Sequence, residues 1–489
     1  MKIDNVKQAY CQIKSDAFKL FKRRDIDKVL NYISTLAHWA YMYNFIYTDC
    51  DVEELLKKCA LEISTKYVSS SNKNRVVFFD TCGCDNRGLI QIYVRALIAN
   101  NYDFILVYND KLSNIPITCL EIEKYGKGKV LSFEGESISK KIRITLDEIR
   151  VFNPSKILLD IVPWDVMSLA CASLVRNCKV FNINGTDHAF WLGSTILDFN
   201  LEFRKLGYTI SIEKRGLKKE QLILNSYYPV SNVNVERNEL PKFDSNTIKL
   251  LTGGASYKFL GNEFYFFQIV DTLLESCSSA IIMIAGCADD ILKKNVSKMK
   301  NRERVYFIGV RKDIDLVFEY CDIYLNSYPF GGGLMTQLAA IKKKPILSLI
   351  DGYNEHFSYI DECVFPYGSR VYSKSNMAEL VLYFKNLCDS CAFRKSEGDN
   401  LSSGIVTVSN FNESLKEILE EEAKTMDVSF DVVDYDAFTK YYMEVEKKYP
   451  QSFGLLLHIY RLRAFLKFPY FYKYFMKIYV MRLYGYIAR

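Results

Sequence analysis

The chain has 489 residues, 49% hydrophobic and 25% charged; this is an ordinary globular composition, and it is too long for one hydrophobic core, so two or three domains are expected. The net charge of +6 is uneven: from Pro450 onward there is no Asp or Glu, while Arg461, Arg463, Lys467, Lys473, Lys477, Arg482 and Arg489 outnumber the whole excess. The body is therefore near neutral, which excludes a general nucleic-acid binder, and no apolar run is long enough to span a bilayer.

The opening MKIDNVKQAY lacks the pattern of a secretory signal, so a cytoplasmic chain with reduced thiols is expected. Cys388-Asp-Ser-Cys391 is a lone pair, short of the four ligands of a zinc site. Residues 1–70 read as helical, with Val29, Leu30, Ile33, Leu36 and Ala37 at helical spacing.

From Arg75 short, continuous apolar runs alternate with helical stretches: VVFFD (76–80), FILVYN (104–109), KILLDIV (156–162) and KVFNIN (179–184). Such runs are strands buried on both faces, hence a parallel sheet between helix layers. A second series begins after Pro241: IKLLTGG (248–254), AIIMIAG (280–286), VYFIGV (305–310), DIYLNSY (322–328) and PILSLI (345–350). The expected fold is α/β, two facing Rossmann-like doubly wound domains at 71–235 and 240–425. A helical leader (1–70) precedes them and a basic, aromatic helical tail (426–489) follows. Ligands of open parallel sheets sit beyond the carboxyl ends of the strands, so the loops there carry the chemistry.

The loop after DIYLNSY contains Gly331, Gly332 and Gly333 and opens a helix with Thr336 and Gln337 in its first turn. Glycines admit close backbone approach, and a helix N-terminus presents free N–H groups to an anion, so a diphosphate suits the loop. A plain strand-to-helix corner is the other reading. Gly254 and Lys258 follow the first strand of this half, and Lys258 is either a phosphate contact or a solvated surface cation. Arg311 follows VYFIGV, and Glu355 with His356 follows PILSLI.

Together these residues resemble the nucleotide-sugar half of GT-B glycosyltransferases, in particular the family of the nucleocytoplasmic O-GlcNAc transferase and the cytosolic bacterial adhesin-modifying glucosyltransferases. The similar features are Lys258, the Pro329-Phe330-Gly331 loop and the acid-histidine pair Glu355-His356, over about residues 180–360. The resemblance implies a nucleotide-sugar donor, UDP-linked first, held by Gly254, Lys258, Arg311, Gly331–Gly333, Thr336, Gln337, Glu355 and His356. Two departures stand: no acid occupies the donor helix beside Gln337, and the two-glutamate signature of many retaining enzymes is missing. The balance favours inversion.

The first half would then hold the acceptor. After VVFFD come Asp85, Arg87 and Gly88; Arg87 and Gly88 suit acceptor contacts, and Asp85 is either a base or a helix cap. After KVFNIN come Asp187 and His188, and His188 is preferred as the base, since imidazole accepts a proton well near neutral pH. A capping Asp187 and a packed His188 is the plain reading. The DxD-like triplets at Asp49 and Asp313 do not end strands, so no essential metal and no tightly bound cofactor are expected.

The reading at this stage is a metal-independent hexosyltransferase. Its acceptor is a glycan, a lipid-linked oligosaccharide or a protein, with cell-surface polysaccharide or glycoconjugate synthesis in bacteria first. Rivals are a transferase acting on Ser, Thr or Asn side chains, an epimerase, and a non-catalytic GT-B partner subunit. The tail suits either an anionic inner-membrane surface or packing against the body.

Overall fold

The computed structural model describes the chain except residues 65–67, 70–71, 87, 231–237, 287–289, 366–371, 422–431, 449 and 488–489. The leader folds as α1 (Ile3–Lys22), α2 (Ile26–Tyr43) and α3 (Cys50–Ile63). Val6, Ala9, Tyr10, Ile13 and Ala17 form one buried stripe of α1, the i, i+3, i+4 spacing of a core-facing helix. Asp49 caps α3, its carboxylate accepting the Val52 N–H at 3.2 Å, and also pairs with Lys14 at 2.8 Å.

The first α/β domain carries β1 (Asn72–Asp80), β2 (Asp103–Tyr108), β3 (Gly128–Ser132), β4 (Pro154–Asp160), β5 (Lys179–Ile183), β6 (Phe199–Glu202) and β7 (Leu222–Leu224). All seven are parallel, in the order β3-β2-β1-β4-β5-β6-β7. Val76, Phe78 and Leu158 face one helix layer and Val77, Phe79 and Leu159 the other, which is why these runs do not alternate in polarity.

The second domain carries β8 (Ile248–Gly253), β9 (Ala280–Ala285), β10 (Val305–Gly309), β11 (Ile323–Leu325) and β12 (Ile346–Leu347), parallel in the order β10-β9-β8-β11-β12. Each sheet reverses direction beside its first strand. In the second domain this switch point lies between β8 and β11, the strands that lead into Lys258 and the glycine loop.

The chain then returns to the first domain. Helix Val408–Leu419 buries Phe411, Leu415, Ile418 and Leu419 against Phe78 and Tyr93 of that domain. In sequence this helix falls within 240–425, yet its apolar stripe covers the outer face of the first sheet. Next come α6 (Tyr435–Lys448) and α7 (Ser452–Tyr460), followed by helices Arg463–Lys467 and Tyr472–Ile487. Phe453, Phe468, Phe471 and Phe475 are buried with Val6 and Trp39 of the leader. Of the two readings of the tail, packing against the body therefore accounts for one face. Among the described residues no helix is long and apolar enough to cross a membrane.

Candidate functional site

The glycine loop is a built structure. Asn326 follows β11 directly, and its Oδ1 accepts the N–H groups of Ser327 and Gly332, both at 3.0 Å. The Ser327 hydroxyl donates to the Phe330 carbonyl at 2.7 Å, and Asn354 Nδ2 donates to the Pro329 carbonyl at 3.3 Å. α5 (Gly333–Ile341) starts directly afterwards, so Gly333, Leu334 and Met335 carry the first-turn N–H groups that a helix cannot satisfy itself.

Lys258 comes to this loop from the other side of the switch point. Its ammonium donates to the Gly331 carbonyl at 3.4 Å and lies 5.8 Å from the centre of the Phe330 ring. Burial pushes its pKa down to about 8, since a cation taken out of water is destabilised.

Across the domain boundary, β5 delivers Asp187 and His188. Asp187 is 1% exposed and accepts from Arg204 Nε at 2.6 Å and Nη2 at 3.1 Å, while His188 Nδ1 lies 3.0 Å from its Oδ1. Burial opposes ionisation of Asp187, but the adjoining Arg204 guanidinium and these hydrogen bonds hold its carboxyl well below the usual range. An ionised Asp187 takes the Nδ1–H of His188 and leaves Nε2 as the imidazole's free acceptor.

The loop is pinned by the leader. Asn44, in the left-handed conformation that ends α2, donates to the His188 carbonyl at 3.0 Å and accepts the Phe190 N–H at 3.1 Å. The His188 ring lies 5.6 Å from Phe330 and 6.3 Å from Tyr442 of α6. One aromatic ring, Phe330, is thus approached by His188 of one domain and by the Lys258 ammonium of the other.

Other expected residues are placed differently. Asp85 accepts the N–H groups of Ile117 and Thr118 and the Thr118 hydroxyl; it caps helix Pro116–Tyr125, which is the cap reading of this residue. Gly88 takes a φ of +83° with its Cα side against Gly83, a turn requirement rather than an acceptor contact. Arg87 lies outside the described residues. The Arg311 guanidinium binds the Asp313 carboxylate at 2.7 and 2.8 Å and the carbonyls of Asn238 and Glu239, so it fastens the interdomain linker instead of facing a ligand.

Thr336 is fully buried with its hydroxyl toward Tyr324 and Tyr372. Gln337 donates to the Tyr227 carbonyl at 3.1 Å and ties α5 to the first domain, beside Phe203 and Cys363. Both side chains point into the protein, because that face of α5 is its core face. Glu355 and His356 pair with each other at 3.2 Å, each half exposed. Gly254 closes the β8 turn by donating to the Ala285 carbonyl at 3.1 Å.

Residues that sequence reasoning passed over complete the site. Arg204 starts α4 (Lys205–Arg215), and its Nη1 also donates to the Tyr359 carbonyl of the second domain at 3.0 Å. Asp80 and Asp160 end the register-paired strands β1 and β4. Both are buried, and burial pushes both carboxyls up, the Asp80 charge adding to the rise at Asp160. Asp80 closes the run VVFFD and Asp160 lies inside the run KILLDIV, the one acid in each. Among the described residues no group of three His, Cys, Asp or Glu side chains is placed to hold a metal ion.

Three solved structures have the same two-domain arrangement. HepE of Anabaena, crystallised with UDP and glucose, matches with a TM-score of 0.53 at 12% identity, over 71% of this chain and 99% of its own. The fold is GT-B. A glycosyltransferase of Rickettsia africae matches at 0.53 and 11% identity, over 72% of this chain and 99% of its own. TarM of S. aureus, crystallised with UDP, fondaparinux and α-GlcNAc-glycerol, matches at 0.50 and 9%, over 71% and 99%. No family model and no curated protein sequence matches the chain. In GT-B terms the glycine loop, Lys258 and His188 lie where the two domains meet.

Proposed function

We propose that this protein is a glycosyltransferase that moves a sugar from a nucleoside-diphosphate donor, UDP-linked first, onto a glycan acceptor with inversion at the anomeric carbon. The carrying observation is the Phe330 ring with His188 at 5.6 Å and the Lys258 ammonium at 5.8 Å. A base and a phosphate cation one ring apart can serve the two ends of one displacement.

In the reaction the acceptor hydroxyl attacks the anomeric carbon and its proton passes to His188 Nε2. The bond from that carbon to the diphosphate breaks, and the leaving oxygens gain charge. Lys258 and the first-turn N–H groups of α5 face that charge. Asp187 keeps the imidazole in the tautomer with Nε2 free and stabilises the imidazolium, as a buried carboxylate does behind a catalytic histidine. No step asks for a metal.

UDP is placed first because HepE and TarM were crystallised with it. Glycan acceptors, in bacterial cell-surface polysaccharide or glycoconjugate synthesis, are favoured over protein side chains because the tail suits a membrane surface. A thermal-shift panel of nucleoside diphosphates tests the reading, since a ligand of the native state raises the unfolding temperature by mass action. UDP should give the largest shift; a panel without any shift would overturn the donor assignment.

A further inference from the structure

The terminal helices present a face with two chemistries. Ala464, Phe468, Phe471 and Phe475 turn inward onto the leader, with Phe465, Tyr470 and Tyr474 packed beside them, and the other positions between Ala464 and Phe475 are exposed. Leu466 is 84% exposed, Leu462 69% and Tyr472 54%. Between them stand Arg461, Arg463, Lys473 and Lys477, all exposed. The acid that reaches this face comes from elsewhere: Asp16 of α1 binds Lys467 at 2.6 Å and the Tyr460 hydroxyl at 2.8 Å.

Folding thus spends part of the tail's apolar surface on the core and leaves another part outside, interleaved with cations. Exposed apolar groups that cluster, rather than stand singly, mark an interaction surface. We propose that this face docks on an anionic lipid bilayer, with the leucines and Tyr472 entering the headgroup boundary and the four cations meeting lipid phosphates and carboxylates.

Charge complementarity selects this occupant. A second copy of the chain, related by a two-fold axis, would set the same cations against each other. A nucleic acid would engage the cations but leave Leu462 and Leu466 in water. The inference goes beyond the transferase reading, and its test does not use transfer activity.

The experiment is co-sedimentation of the full chain with vesicles of phosphatidylcholine alone or mixed with phosphatidylserine, at low and at high salt. Binding is expected to the mixed vesicles, to weaken with salt, and to be weak on phosphatidylcholine. The variant R461E/R463E/K473E/K477E should lose at least about fivefold in partition for each cation engaged, with its melting temperature unchanged. L462S/L466S, also on exposed positions, should weaken binding at both salt concentrations. Wild-type protein left in the supernatant with both vesicles would overturn the proposal, as would equal binding to both or an undiminished charge-reversed variant. A concentration-dependent dimer abolished by the same variant would assign the face to a second copy instead.

Discussion

Arg204 and Asp187 form a two-point ion pair, at 2.6 and 3.1 Å, in which both side chains are withdrawn from water. Removing one partner of such a pair strands the other charge. Arg204→Met is expected to lower stability by about 3–5 kcal/mol at neutral pH. The deficit should shrink as pH falls through the carboxylate range, because a proton then neutralises the stranded Asp187. The check is urea denaturation of both proteins from neutral to acid pH.

Glu202 behaves in the opposite sense. Burial lifts its pKa to about 7 although Arg215 and hydrogen bonds from Ser211 and Asn184 oppose the shift. A carboxyl raised on folding makes the native state bind more protons than the unfolded chain, so its contribution is full below the ordinary range near pH 4 and declines as pH rises toward 7. Glu202→Gln, uncharged throughout, should flatten that part of the pH–stability curve. Equal slopes in wild type and variant would remove Glu202 as its source.

Much of this architecture was legible in the sequence because burial on both faces writes itself as unbroken apolar runs; AIIMIAG exceeds β9 by one residue, and VVFFD is the buried C-terminal part of β1, whose polar start Asn72–Arg75 carries no such signal. Gly128–Ser132 and Phe199–Glu202 were not legible, since the first lies at the sheet edge and the second carries the buried polar residues Asn200 and Glu202. The pair Asp187-His188 was readable as sequence neighbours. Arg204, seventeen positions on, meets Asp187 only through the fold. Thr336 and Gln337 misled because first-turn position fixes proximity to a helix N-terminus but not the face that side chains take.

Gly331 and Gly332 should respond differently to a methyl group. A Cβ at Gly331 would stand 2.8 Å from Ile360 and 3.1 Å from Asn326 Nδ2; Gly331→Ala is expected to cost about 1–3 kcal/mol of stability through overpacking. A Cβ at Gly332 finds only ordinary contacts, 3.5 Å from the Tyr324 hydroxyl and 3.6 Å from Lys258 Nζ. Gly332→Ala should therefore melt like wild type yet bind a diphosphate more weakly. Calorimetric melting and nucleotide titration separate the two effects.

For His188, replacement by Ala should lower transfer by about 10²–10⁴-fold, the usual contribution of a general base, and leave nucleotide affinity near wild type. Single-turnover assays of sugar transfer at saturating donor measure this. A variant turning over at the wild-type rate would take the proton-accepting role away from His188.

The most direct test of the account is titration calorimetry of UDP into wild type and Lys258→Ala across neutral to alkaline pH. Wild type should bind one UDP, with affinity falling as pH rises through about 8, where the buried Lys258 ammonium loses its proton. Lys258→Ala should bind about 1–3 kcal/mol more weakly, the scale of a lost charge-assisted hydrogen bond, with the alkaline dependence gone. Absence of UDP binding to the wild type, or identical affinities and pH profiles in the two proteins, would contradict the account.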